Sequence, residues 1–259
     1  MPTIHIDENR ILIKEASPEK ITGKWKEAVD EIIKTCNEHL GSKLISIYIG
    51  GSVSHGDAIE DKSDVDSYVV VNLTEQECKG LDDVWVLNEE KRIDTLFPFQ
   101  RGVEIHLIPA DHISEGKKFQ MKVFSARVYG KDFGLELHDY KLDRETMGRI
   151  RVDAKKDIET AKEDLAGTDD AKEIMKVGKW ISKRIIRSSG MLCMWKENSY
   201  TMEIPKLVQM VSQYYPEKKE ELDELFEYTK NPTSNKVQMQ HLLRSFGAWL
   251  IEEDKNIFG

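Results

Sequence analysis

Apolar residues follow two different spacings, which divide the chain into two parts. In the first part, short apolar runs predict three strands: LISIYI (Leu44–Ile49), DVDSYVVV (64–71) and VEIHLIP (Val103–Pro109). Between residues 21 and 40, apolar residues recur at helical spacing and predict a helix that ends near Gly41. The run SARVYGKDF (125–133) predicts a return to the sheet edge. The first part is therefore predicted to be mixed α/β.

The pattern becomes helical from residue 143 onward. It predicts helices over 144–165, 171–197, 202–215, 218–228 and 236–254, with Thr201 as the N-cap of the third. Near the N-terminus, the alternating runs IHID and RILIK predict a hairpin around residues 7–9. We predict two domains: an α/β domain with a mixed sheet at residues 1–141, and an all-α helical bundle at residues 142–259.

The composition mainly excludes classes of partner and of cellular location. The 259 residues carry a formal net charge of −9, which disfavours nucleic acid as the main partner and favours cationic partners. No run approaches the roughly 18 consecutive apolar residues that span a bilayer. The first residues, MPTIHIDENR, lack the regions of a signal peptide, so we expect neither a membrane span nor secretion. The cysteines Cys36, Cys78 and Cys193 form no CxxC pair, which fits the reducing cytoplasm.

Two acids, Asp64 and Asp66, lie at the start of the second predicted strand, after a glycine–serine turn. Alternate residues of a strand share a face, so the two carboxylates can converge on a divalent cation, and oxygen ligands favour Mg²⁺ or Mn²⁺ over Zn²⁺. The turn at Gly51 and Ser52 allows backbone N–H groups to approach a phosphate, with the serine hydroxyl as a further donor. The alternative is a glycine-rich surface loop followed by a solvated acidic turn. The segment has neither a GK[ST] ending nor a GxGxxG pattern.

A third acid, Glu104, lies within the third predicted strand and faces away from its apolar residues. If this strand lies beside the DVD strand, Glu104 completes an acidic triad; the alternative is a solvent-facing glutamate on an edge strand. His106 shares the face of Glu104 and could support the ligands from the side, but we do not count it among the site residues. His55, beside the glycine–serine turn, is interpreted as a loop histidine without a role.

Basic residues on one predicted helix offer a possible phosphate contact. In KWISKRIIRSSG, Lys183 and Arg187 are four residues apart and share a helix face. They could reach the β- and γ-phosphates of a nucleotide. The alternative is an ordinary solvated basic face.

The order GS, then SDVD entering a strand, then an acid on a later strand resembles the DNA polymerase beta-like nucleotidyltransferase superfamily. The α/β part followed by a helical part is similar to the bacterial aminoglycoside nucleotidyltransferases. The motif covers residues 48–71, with Glu104 as a looser match. The resemblance implies that Gly51 and Ser52 hold the triphosphate and that Asp64 and Asp66 bind Mg²⁺. It implies that Glu104 either ligates the catalytic metal or acts as the base.

The function that this resemblance implies is transfer of AMP from ATP to a hydroxyl of a small molecule, such as a cationic aminoglycoside antibiotic, by a two-metal mechanism. Two alternatives stay open: nucleotidyl transfer to RNA or to a protein side chain, and a catalytically silent nucleotide-binding or toxin–antitoxin-type partner. The acidic net charge counts against RNA. The intact pair of aspartates counts against the silent partner.

Overall fold

The structure is a computed structural model that describes residues 3–259, apart from the side chain of residue 83. Within this range, the strands are β1 (Ile4–His5), β2 (Leu44–Ile49), β3 (Val65–Val71), β4 (Val103–Pro109), β5 (Ala126–Gly130) and β6 (Ser199–Tyr200). The α-helices are α1 (Gly23–Leu40), α2 (Gly51–His55), α3 (Glu75–Leu81), α4 (Leu87–Leu96), α5 (Glu115–Phe119), α6 (Arg144–Ile150), α7 (Ala154–Ala166), α8 (Ala171–Met194), α9 (Ile204–Tyr214), α10 (Lys219–Tyr228) and α11 (Lys236–Phe258). Residues 12–140 form one compact unit, and residues 3–11 and 141–259 form another.

The first unit is built on a mixed sheet with the strand order β4-β3-β2-β5. Strands β3 and β4 are parallel, whereas β2 is antiparallel to both of its neighbours. Parallel strands require a crossover connection, and α3 and α4 lie in the chain between β3 and β4. The predicted α/β class is confirmed, and so are the three predicted strands and the return of β5 to the sheet edge.

The two faces of this sheet have different surroundings. Val65 and Val69 of β3 belong to the main apolar core, together with Ile32 of α1 and Ile93 of α4. The intervening Tyr68 belongs to a smaller cluster on the other face. Because side chains alternate along a strand, the side chain of residue 66 also points to the second face. The main core therefore determines which residues of β3 remain available for chemistry.

The second unit contains the helices α6–α11, as the fold class predicted from the sequence requires. Its buried apolar stripes include Ile181 and Ile185 of α8 and Phe246 of α11. None of the helices in residues 3–259 combines the length and apolar character needed to cross a bilayer.

Several predicted helix boundaries in this unit are wrong. Helix α8 ends at Met194 rather than at residue 197, and α11 extends to Phe258 rather than to residue 254. The single helix predicted over 144–165 is two helices, because the Asp153 carboxylate accepts the N–H of Lys156 and caps a new helix. The N-cap position of α9 is occupied by Glu203 rather than Thr201. The Thr201 hydroxyl instead accepts the N–H of Glu203.

The predicted N-terminal hairpin is confirmed only at its turn: residues 8–9 form a turn, and the N–H of Asp7 donates to the carbonyl oxygen of Ile11 at 2.9 Å. Strand β1 pairs with β6, with Ile4 opposite Tyr200, and Ile11 forms an isolated bridge with Lys141. Residues 3–11, which the sequence placed in the first domain, therefore group with the second unit. The domain boundary predicted between residues 141 and 142 stays a prediction.

The close approach of β5 to β2 gives a stability test at Gly130. This glycine has φ +73°, and a Cβ atom there would overlap the carbonyl oxygen of Ile45. We expect Gly130→Ala to lower the free energy of unfolding by about 3 kcal/mol or more. Gly80→Ala is the control, because nothing lies within 4 Å of its Cβ position and alanine stabilises a helix by up to about 1 kcal/mol. Equal effects in urea unfolding would contradict this account.

Candidate active site

Two carboxylates and an imidazole meet on the face of the sheet opposite the main core. Asp66 and Glu104 are direct partners in the parallel β3–β4 register, so the condition under which Glu104 joins the other acids is met. His106 follows on the same face, and its Nε2 lies 3.2 Å from Oε2 of Glu104. One ligand atom from each of Asp66, Glu104 and His106 lies within 4.8 Å of the other two. Two oxygens and one nitrogen at this spacing fit a divalent cation.

Crowding of negative charge shows in the ionisation of Asp66. Burial raises the pKa of this carboxyl to about 6, and the charges of Asp64 and Glu104 act in the same direction. Lys117 acts in the opposite direction without cancelling the shift. A bound divalent cation would favour the ionised carboxylate and reverse this shift. The electrostatics of the metal-free protein therefore favour uptake of a cation.

The cation Lys117 comes from α5 and lies on the same face of the sheet. Its Nζ is 4.3 Å from the centroid of the Tyr68 ring, an attractive geometry for a cation and an aromatic face. The imidazole of His106 also stacks on this ring, at 5.7 Å between centroids and 17° between planes. Burial lowers the pKa of Lys117, whereas Asp66 and Glu104 raise it. The sequence analysis did not identify Lys117, because its helix reaches the site only through the tertiary fold.

The glycine–serine turn lies directly beside Asp66. Gly51 has φ +66°, and a Cβ atom there would lie 3.1 Å from Oδ2 of Asp66. The Ser52 hydroxyl donates to Oγ of Ser63 at 3.0 Å, and this oxygen also accepts the N–H of Ile59 at 2.9 Å. These bonds connect the turn to the segment that leads into Asp64. Ser63 is a part of the site that the sequence analysis did not identify.

His55 is buried in α2 and holds the turn, so its interpretation as a loop histidine is wrong. The carbonyl oxygen of Gly51 accepts the Ser54 hydroxyl at 3.0 Å and lies 2.8 Å from Nδ1 of His55. Both side chains follow Gly51 within the same short helix. Both side chains thus hold the carbonyl oxygen of Gly51, while the Cα of this residue faces Asp66.

The remaining predicted residues differ in how far the structure supports them. Asp64 precedes β3, which begins at Val65, and lies outside the close set of three donors. Its charge nevertheless acts on Asp66. The roles of Asp64, Gly51 and Ser52 in holding metal and triphosphate stay predictions.

Lys183 and Arg187 lie on α8, in the second unit. Burial lowers the pKa of Arg187, and the charge of Arg184 adds to the effect. Within the described part of the chain, Nε of Arg187 is buried without a hydrogen-bond partner, which is unusual for a buried polar atom. The contact of both residues with phosphates stays a prediction.

The raised pKa of Asp66 predicts how stability depends on pH in the metal-free protein. Because the carboxyl ionises near pH 6 when folded and near its ordinary 3.8 when unfolded, the free energy of unfolding falls as pH rises between these values. We expect Asp66→Asn to stabilise the protein by about 1–3 kcal/mol at pH 8, with a gain near zero at about pH 4. Urea unfolding with a chelator measures this. The exposed Asp30→Asn is the control, and a gain independent of pH would refute the assignment.

Comparison with known proteins identifies the segment that holds this site. Residues 29–131 match the family model of the nucleotidyltransferase domain. No curated protein matches the chain. A crystal structure of spectinomycin adenyltransferase AAD(9) from Enterococcus faecialis with ATP and spectinomycin is similar at a TM-score of 0.47 and 15% identity, over 86% of this chain and 99% of that chain. This similarity is too remote to assign substrates. The matched segment, residues 29–131, contains Asp66, Glu104 and the glycine–serine turn, in agreement with the resemblance of the motif to the nucleotidyltransferases.

Proposed function

We propose that the protein is a metal-dependent nucleotidyltransferase that moves AMP from ATP onto a hydroxyl of a small molecule. The observation that carries this proposal is the parallel β3–β4 register, which puts Asp66 beside Glu104 within the segment that matches the nucleotidyltransferase domain. Burial of Asp66 and the charges of Asp64 and Glu104 together raise the pKa of this carboxyl, a perturbation that is typical of functional sites.

The residues of this chain divide the work of the reaction. Asp66, with Asp64 and Glu104, would hold divalent ions such as Mg²⁺, and Gly51 and Ser52 would hold the triphosphate. When bound, such ions neutralise the nucleotide phosphates and the charge that develops on the leaving pyrophosphate. Holding the acids and the turn in fixed positions aligns the nucleotide for in-line attack.

Glu104 is the proton acceptor that we assign to the attacking hydroxyl. Its side chain is 56% exposed, so an acceptor molecule can approach it from solvent. The bond between the acceptor oxygen and the α-phosphorus forms, the bond to pyrophosphate breaks, and the hydroxyl proton passes to the carboxylate. Because a carboxylate has two oxygens, ligation of an ion by one leaves the other for the proton.

The acceptor that we propose is a cationic amino sugar of the aminoglycoside type. The net charge of −9 favours approach of a cation, and the order of an α/β part followed by a helical part is similar to that of the bacterial aminoglycoside nucleotidyltransferases. We propose that the reaction takes place in the cytoplasm, where ATP is available and where free cysteines stay reduced.

Incubation with ATP, Mg²⁺ or Mn²⁺ and a panel of amino sugars tests this proposal. We expect release of pyrophosphate and an acceptor whose mass increases by one nucleoside monophosphate. Asp66→Asn should lower turnover by at least about 10³-fold, because it removes charge that positions the ions, while circular dichroism stays unchanged. Asp30→Asn, on the surface of α1, should keep parental turnover.

Two results would contradict the proposal. Near-parental turnover in Asp66→Asn would exclude the assigned metal site. Product formed only with RNA or with a protein acceptor would exclude a small-molecule acceptor and favour the alternative transfer reactions.

A further inference from the structure

His106 is placed where it can bind the same ion as Asp66 and Glu104. We propose that Nε2 of His106 is a metal ligand, and that the site therefore prefers a transition-metal ion to Mg²⁺. This inference rests on the proposed function only in that both place a divalent ion at Asp66 and Glu104. It changes the predicted all-oxygen ligand set to two carboxylates and one imidazole.

The distance between His106 and Glu104 is the first support. Two neighbouring ligands on an octahedral ion with bonds of about 2.1 Å lie about 3 Å apart. Nε2 of His106 and Oε2 of Glu104 are separated by 3.2 Å. The three donors lie within 4.8 Å of one another, close to the roughly 4.2 Å between opposite ligands of one ion, so at most small side-chain adjustments complete the set.

The orientation of the imidazole is the second support. The ring of His106 stacks on the ring of Tyr68, its partner in the β3–β4 register. Tyr68 is buried, so this stacking restricts the histidine before any ion arrives. The His106 side chain is 44% exposed, which leaves the donor atoms accessible from solvent. A ligand that is already oriented loses little rotamer entropy on binding.

The kind of donor decides which ion the site prefers. Mg²⁺ takes oxygen ligands and keeps several waters, whereas imidazole nitrogen is a common ligand of transition ions. Mn²⁺ is the weakest binder in the first-row divalent series, so it is a conservative probe of this preference. A simple ion pair between His106 and Glu104 would produce the same 3.2 Å distance but would place no histidine nitrogen on a bound ion. Metal binding therefore separates the two explanations.

Pulsed electron paramagnetic resonance of the full chain loaded with Mn²⁺ tests the ligand directly, without nucleotide or acceptor. We expect nuclear modulation from a directly bound ¹⁴N, which changes to the ¹⁵N pattern when the protein is made with ¹⁵N-histidine. His106→Gln should abolish the modulation. His112→Gln, an exposed histidine outside the cluster, should leave it unchanged.

Competition between Mg²⁺ and Mn²⁺, followed by the signal of free Mn²⁺, tests the preference. We expect the parental chain to bind Mn²⁺ at least about tenfold more tightly than Mg²⁺, and His106→Gln to reduce this ratio by about tenfold. Circular dichroism checks that the variant is folded. If the variant does not fold, the electron paramagnetic resonance spectrum of the parental protein still tests the ligand.

The inference is overturned if the parental protein shows no histidine nitrogen, if it binds no Mn²⁺, or if His106→Gln keeps the modulation. It is also overturned if Mn²⁺ and Mg²⁺ bind equally. A transferase without the nitrogen signal would refute the ligand and leave the proposed function intact. The signal in a chain that transfers nothing would refute only the function.

Discussion

The hydrophobic core forces Asp66 and Glu104 to lie side by side. The β3–β4 register runs without a slip from Val65 opposite Val103 to Val71 opposite Pro109. A slip of one residue would turn Asp66 or Glu104 into the main core and Val65 or Val103 out of it. Such a slip cannot relieve the repulsion between the carboxylates, because burial of the valines stabilises the fold by more than the repulsion destabilises it. Packing on one face of the sheet thus holds like charges together on the other.

The charges around Asp66 are only partly balanced by the protein. Lys117, held over Tyr68, lowers the local negative potential, yet the pKa of Asp66 stays raised to about 6. A lysine is a single positive charge on a flexible chain, whereas a divalent ion carries twice the charge and can bind both carboxylates at once. A side chain in place of Gly51 would crowd Oδ2 of Asp66 at 3.1 Å and would be strained at φ +66°. The protein groups around Asp66 therefore leave negative charge that a divalent ion would neutralise.

Local patterns were sufficient to predict the acids but not their neighbours. The alternation in VDSYVVV and VEIHLIP indicated the strands and their faces, so the place of Asp66 and Glu104 followed once the strands were adjacent. The contributions of His106 and Lys117 depend on side-chain orientation and on the position of α5, which no periodicity encodes. The pairing of β1 with β6 joins distant parts of the chain and is equally invisible to local rules. The helix break at Asp153 did have a local signal, because aspartate is a favoured N-cap.

The destabilisation caused by the ionised Asp66 is smaller than the stabilisation from the apolar side chains that the same sheet buries. Raising the pKa of Asp66 from 3.8 to about 6 corresponds to about 3 kcal/mol at neutral pH. Burying one valine or isoleucine contributes about 1.5–3 kcal/mol, and Val65, Val69 and Ile105 are all almost fully buried. Two such side chains offset the cost, so the fold tolerates an arrangement of acids that lowers its own stability. Acids placed at such a cost to stability are typical of functional sites. A bound cation would offset the cost of ionising Asp66.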